Sequence, residues 1–452
     1  MLPRRRFRRN PQRRFLRFAL YALAALTLLD VLTILKNYRE FSNSLLSHTY
    51  TDPSSLPTPA RNQKIFIVAT FWTNAYVIYY RWAEALVDLV ETLGPDNVFV
   101  SIYESGSLDN TKDMLTWLDK SLLAQHFPTL ERSIVLDNTT HQDEMDVGPF
   151  DEGGKPRPGW VLPPAGQKGK ELRRIPYLAR LRNLSLKPLL AEKEAGRSYD
   201  KILFLNDVVF KPSDVVSLLA TNQGSYTAAC ALDYADPVTL GGYYDTFVLR
   251  DTNGHRTLAS QFPYFRPSES LNSMLRGTAT KVSSCWNGML LMDSAPFYGP
   301  RPDSLPPPMD DSKLGLPFRA IPDSLASKHL EGSECCLIHT DLATSNPSNA
   351  GTYINPSVRV GYTIEAYNQT HFGPDENMFL SGTQYVLATW LHRINRLRTP
   401  SAEKQLKAVT GRVRKWLKDE ETLAKRELEL GKGEMCLIDE MHLLIWNGWK
   451  HA

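Results

Sequence analysis

Five carboxylates and one imidazole stand at the edges of apolar runs, and these carry the chemistry this chain offers. Lys201-Ile-Leu-Phe-Leu-Asn206-Asp207 is an apolar run that stops at an Asn-Asp pair. Thr227-Ala-Ala-Cys-Ala-Leu-Asp233 repeats that design, and Tyr244–Asp251 places Asp245 and Asp251 about a third such run. Glu331-Gly-Ser-Glu334-Cys-Cys-Leu-Ile-His339-Thr-Asp341 reads as a short strand with Glu334 before it and His339 after it. Carboxylate oxygens suit a hard divalent cation, Mg or Mn, and imidazole is a further ligand for such metals. At the carboxyl ends of strands in an α/β sheet these groups lie where such sheets take ligands. Each has a plainer alternative: Asn206-Asp207 equally suits a turn that ends a strand, and a single histidine is as readily structural.

The elements that must position these residues follow an α/β rhythm. Lys64–Thr70, Asn97–Tyr103 and Ser133–Leu136 read as strands, and helices are expected over Ala75–Thr92 and Ile175–Leu190. Between the second strand and its helix, Glu104–Thr111 is rich in turn residues and brings Ser107 and Asp109 to the ligand edge; Asp109 or Asn110 serves equally as a helix cap. Arg180 and Arg182 lie on the later helix, where arginines hold a diphosphate or form a solvated face. Asn287-Gly288 precedes an apolar strand, and a glycine there lets a ligand approach the backbone.

The N-terminus is of another kind. Eight arginines fall within residues 1–17, so the rest of a chain of net charge +3 is acidic overall and shows no nucleic-acid footprint. Phe15–Leu35 is long enough to cross a bilayer, and the arginines before it predict a cytosolic tail and a luminal body. The expected organisation is a basic tail (1–14), a signal-anchor (15–35), a stem (36–62) across which little packs, a catalytic domain (63–373) and a helical C-terminal region (374–452) packed on it. Five cysteines without a Cys-x-x-Cys pair argue against a zinc knuckle and allow one bridge.

The blocks KILFLNDVVF (201–210), ACALD (229–233), YDTFVLRD (244–251), CWNGML (285–290) and ECCLIHTD (334–341) resemble, in order, the fungal capsule-associated cryptococcal α-1,3-mannosyltransferases of glycosyltransferase family 69. The resemblance spans about residues 60–380. It implies a GT-A-like, Rossmann-type mixed sheet flanked by helices, a single-pass type II protein of the Golgi or ER membrane, and transfer of mannose from GDP-mannose to a capsule or cell-wall glycan acceptor. It implies a metal on Asp207 and His339, with Asn206 standing where such enzymes carry the first Asp of Asp-x-Asp. It places Asn206, Asn287 and Gly288 at the donor, beside Ser107, Asp109 and Arg180 as read from their positions; retention proceeds by front-face attack or on an enzyme nucleophile, for which Asp233 and Glu334 are the catalytic candidates. A membrane-anchored, non-catalytic glycan-binding or polysaccharide assembly and export factor on the same fold is the second reading.

Overall fold

The computed structural model describes residues 11–162, 169–306, 308, 311–345, 350–373, 378–397, 400–418 and 430–452. Most of the expected basic tail, the ends of the two C-terminal helices expected over 376–398 and 402–430, and part of the insertion at 148–169 lie outside the described residues.

One eight-stranded mixed sheet organises the molecule. Its strands are β1 (Ile65–Phe71), β2 (Val98–Ser105), β3 (Arg132–Asp137), β4 (Lys201–Leu205), β5 (Ala228–Tyr234), β6 (Thr280–Val282), β7 (Met289–Asp293) and β8 (Thr352–Gly361), in the order β3-β2-β1-β4-β7-β5-β8-β6. β1 pairs in parallel with β2 and β4, and β5 with β8. β7 runs antiparallel between β4 and β5. The N-terminus of β7 therefore lies at the same sheet edge as the C-termini of β1, β2, β4, β5 and β8.

The central strands are apolar on both faces because both faces are covered. Alternate residues go to opposite sides: Phe66, Val68, Ile202 and Phe204 enter one core, and Ile65, Ile67, Leu203 and Leu205 the other. Each fully buried side chain of this size contributes roughly 1.5–3 kcal/mol, which makes this sheet the rigid platform beneath the edge loops. The flanking helices are α1 (Pro11–Ser47), α2 (Ala83–Leu93), α3 (Thr111–Trp117), α4 (Arg174–Glu194), α5 (Pro212–Leu219), α6 (Glu269–Arg276), α7 (Glu334–Ser345), α8 (Ile364–Thr370), α9 (Gly382–Leu397) and α10 (Pro400–Leu417). α2 and α5 pack on one face, and α4 and α7 on the other.

Four expectations are corrected. Residues 36–47, expected as stem, continue α1 without a break. Ile34, Phe41 and Leu45 are buried in the main core, and the Phe41 ring meets Phe262 at 5.3 Å and Tyr385 at 5.2 Å. The polar residues of this segment do not solvate a linker: Ser44 Oγ donates to Gly277 O at 2.8 Å, and Tyr38 Oη to Leu380 O at 2.9 Å. Glu334–Asp341 is not a strand but the first eight residues of α7. Tyr244–Asp251 is a loop of turns, not a strand. Among its described residues the C-terminal region is helical through Leu417 and again in a short 3-10 turn, Gly433–Cys436, and it closes with a hairpin, β9 (His442–Ile445) and β10 (Gly448–His451), turning at Trp446-Asn447.

The cysteines form two bridges rather than one, Cys230–Cys285 and Cys336–Cys436, and Cys335 is free and buried. Neighbours on a helix point about 100° apart, so Cys336 reaches Cys436 while the Cys335 thiol meets Glu334 Oε1 at 3.3 Å.

Candidate active site

The shared sheet edge gathers Asp207 from the end of β4, Asp233 from the end of β5, Tyr362 from just beyond β8, and Asn287-Gly288 from just before β7. Above them lie the loop that carries Asp245 and the start of α7 with Glu334.

Asp207 is fixed from both sides. The Asn206 backbone is locked, its N–H donating to Gly288 O at 3.0 Å and its carbonyl accepting from Trp82 Nε1 at 3.0 Å. The Asp207 carboxylate accepts from Asn74 Nδ2 at 2.6 Å. Its side chain stays partly exposed within a wall of protein, and this desolvation raises its pKa against the Asn74 hydrogen bond and the Arg182 charge.

Asp233 is fully buried, with Oδ2 accepting from Tyr362 Oη at 3.0 Å and Oδ1 from the Asp245 N–H at 3.2 Å. Burial first, and the Asp245 charge second, push its carboxyl well above the usual range. Burial also raises Asp245, with the Glu334 charge adding to the effect and Arg174 opposing it. Two acids this close share the cost of ionisation, so one proton is held between them more tightly than either group alone would hold it.

Cationic groups face these acids. Arg182 stacks 4.2 Å from the Trp286 ring, and its Nε donates to Glu334 Oε1 at 3.0 Å. Arg174 lies 4.4 Å over Trp449 of the hairpin and senses the charges of Glu334, Arg182 and Asp245. The two arginines are eight residues apart on α4, a little over two turns, and so share a side of it.

Asn287 holds a left-handed φ of 32° and is fully buried. Its Oδ1 accepts from Tyr243 Oη and from the Trp286 N–H at 3.2 Å, while its Nδ2 is sealed from solvent without a protein partner among the described residues. At Gly288, φ is 70° and an added Cβ would sit 2.9 Å from Val360 and 3.0 Å from Val208. The glycine is thus required by side-chain packing, and these groups, not open space, fill the approach expected for a ligand.

The remaining expected residues lie elsewhere. Arg180 is paired with Glu144 and interacts with Asp137 and Tyr103 beyond the acid cluster. Ser107 Oγ accepts from the Thr73 N–H at 2.8 Å, and Asp109 bridges the Ala75 N–H at 3.0 Å and the Thr111 N–H at 3.0 Å. Both therefore lock the first two edge loops together. His339 lies within α7 rather than at a strand end. Its Nε2 meets Cys285 O at 2.5 Å, its Nδ1 faces Thr352 Oγ1 at 3.4 Å, and burial lowers its pKa to about 4. The cysteines beside it form a disulfide, so this group is not a thiolate metal set.

Asn74, Arg174 and Tyr362 join the cluster without having been selected from sequence, and Asp245, read at the edge of a strand, reaches it from a loop. A tyrosine just past a β8 that itself carries no acid gives no motif, but the i, i+8 spacing of Arg174 and Arg182 was readable.

Asp207 and Asp245 are the oxygen donors available to a hard divalent cation here. Burial raises the carboxyls of Asp207, Asp233 and Asp245 together, so positive charge placed among them would relieve that desolvation. A second histidine–carboxylate group, Glu440, His442 and His451 on the hairpin, is closed on itself, Glu440 Oε2 lying 3.3 Å from His442 Nε2 and 2.9 Å from His451 Nδ1.

A mixed sheet whose carboxyl-end edge gathers buried acids and two arginines offers charged groups of the kind that stabilise charge in a transfer reaction. The family profile described as Cryptococcal mannosyltransferase 1 matches residues 64–341, and the chain belongs to that family; it is a glycosyltransferase. No relative is found among curated proteins. Solved structures similar to the chain include mannosyltransferase PcManGT from Pyrobaculum calidifontis in complex with GDP-Man and Mn2+, at 10% identity and a TM-score of 0.32, covering 90% of this chain and 96% of that one. Another is glucosyl-3-phosphoglycerate synthase from Mycobacterium tuberculosis with Mn2+, UDP and phosphoglyceric acid, at 12% identity and a TM-score of 0.32, covering 76% and 83%. The functional reading rests on the family and on the site.

Proposed function

We propose that the protein transfers mannose from GDP-mannose to a hydroxyl of a glycan acceptor, with retention and in α-1,3 linkage, as part of building a fungal capsule or cell-wall glycan. The observation that carries this reading is the convergence of Asp207, Asp233, Asp245 and the Arg182–Glu334 pair at one sheet edge inside the family-matched segment.

Arg182 and Arg174 are the groups suited to the donor diphosphate. Negative charge builds on the β-phosphate as the glycosidic bond breaks, and fixed guanidinium groups in a partly desolvated cleft stabilise it. Arg182 is held for this by Trp286 and Glu334. A divalent cation held by Asp207, with Asp245 as a second oxygen donor, would supply further charge neutralisation.

Both oxygens of Asp233 already accept hydrogen bonds, and burial favours its protonated form. Glu334 is tied to Arg182. Neither is poised as a nucleophile, which supports front-face transfer over a covalent intermediate. In that path the acceptor oxygen bonds the anomeric carbon on the face from which GDP leaves, and the departing phosphate oxygen takes the acceptor proton.

α1 supplies the anchor in this reading: residues 15–29 are exposed along a long apolar helix, and the body beyond them is placed in the lumen of the Golgi or ER. Purified full-length protein incubated with Mn and a panel of sugar nucleotides tests the donor. Release of GDP from GDP-mannose well above release from UDP-glucose is expected, and equal or reversed preference rejects the assignment.

A further inference from the structure

α9 carries an apolar face that the body leaves uncovered. Leu387, Leu391, Ile394 and Leu397 are 48%, 37%, 45% and 87% exposed. Their spacing of four, three and three residues forms one stripe on a helix. The opposite face, with Tyr385, Ala388, Thr389 and His392, is buried.

Contacts with α1 fix where this stripe lies. The Tyr385 ring packs 5.5 Å from Tyr38, and Asp30 Oδ2 accepts from Trp390 Nε1 at 2.9 Å and from Arg393 Nη1 at 2.7 Å. Residue 385 is thus beside 38 and residue 393 beside 30, so α9 runs antiparallel to α1. Each further residue of α9 moves toward the exposed apolar half of α1. Leu397 lies about 6 Å beyond Arg393 along the axis, level with the stretch of α1 around Leu26, Leu28 and Leu29, which are themselves 61–64% exposed. The stripe therefore continues the lipid-facing surface of α1. The exposed Arg393 is tied to Asp30 of α1, which fixes the two helices side by side at this level.

We propose that the C-terminal end of α9, running alongside α1, dips its apolar stripe into the boundary between headgroups and acyl chains of the bilayer that α1 spans, as a second membrane contact of the protein. This rests on the reading of α1 as a membrane anchor. α1 enters the core without a hinge, so two contacts on one rigid body set the orientation of the acid cluster relative to the membrane.

The test uses full-length protein in nanodiscs of phosphatidylcholine and phosphatidylserine, spin-labelled at single introduced cysteines. The native cysteines are either in disulfides or, for Cys335, buried, so labelling is confined to the introduced site. Leu20→Cys reports the anchor, Leu397→Cys and Leu391→Cys the stripe, and Glu84→Cys an exposed site on the body. Accessibility to oxygen at 397 and 391 should resemble that at 20, with loss of the access to a water-soluble nickel chelate seen at 84. Oxygen-accessible label at 20 with chelate-accessible label at 397 overturns the inference and leaves the anchor standing. Chelate access at 20 overturns the anchor and the inference with it. A label at 397 shielded from both reagents identifies a protein partner or second copy and also overturns the proposal.

Discussion

Removing residues 1–55 should cost the body a large part of its stability, although their composition reads as anchor and stem. The deletion takes Ile34, Phe41 and Leu45 out of the main core, all at 2% exposure or less. At roughly 1.5–3 kcal/mol for each buried side chain, the loss is about 5–9 kcal/mol, and the Phe41 contacts with Phe262 and Tyr385 add to it. Domains are stable by only about 5–15 kcal/mol, so residues 56–452 should melt about 6–11 °C below residues 31–452. The assay is thermal unfolding of the two fragments in the same mild detergent. Melting temperatures within about 2 °C of each other would show that the packing of α1 is worth little and refute this reasoning.

Arg182→Lys keeps the charge but loses the planar stack on Trp286 and the fixed donor to Glu334; turnover should fall by about 10- to 100-fold with KM for the donor changed less, as steady-state kinetics would report. Asp233→Asn should raise the melting temperature at pH 7.5 while lowering activity. Burial lifts the Asp233 pKa above its unfolded value, so the stability it contributes is present at low pH and is lost as pH rises; the gain in the variant should shrink as pH falls toward the ordinary carboxylate range, and melting curves across pH would check the sign. Reducing Cys336–Cys436, which closes a separation of 100 residues, should cost about 4–5 kcal/mol by chain entropy, seen as a lower denaturation midpoint for a Cys336→Ser, Cys436→Ser variant.

The sheet was legible because its central strands are buried on both sides and so read as continuous apolar runs. β1, β2, β4, β5 and β7 fall within a residue or two of the expected segments. Asp207 and Asp233 were legible with them, since each ends such a run. α7 was not: nine of its twelve residues are buried, so it lacks the polar face that gives a helix its period, and a short apolar piece reads as a strand. That error carried His339 to a strand end and away from its place beside Cys285. Asp245 was misplaced because Tyr244–Asp251 has strand composition, yet Tyr243 before it and Arg250 within it donate to the loop's own carbonyls at Asp245 and Phe247. In the hairpin, Asn447-Gly448 is a turn signal between alternating segments and was readable. The helical continuation of α1 was hidden by its polar residues, of which Ser44 and Tyr38 donate to distant backbone at Gly277 and Leu380, which no local pattern shows.

The central claim is that the acids around Asp207 act on a sugar nucleotide, and the most direct measurement is GDP release from GDP-mannose, with and without Mn, by wild type and Asp207→Asn. Asparagine keeps an acceptor for Asn74 and removes a charge that burial already disfavours, so the variant should melt at or above the wild-type temperature. Its turnover should drop by about two to three orders of magnitude and lose its response to Mn. An intact variant turning over within about threefold of wild type, with the same Mn dependence, would contradict the account.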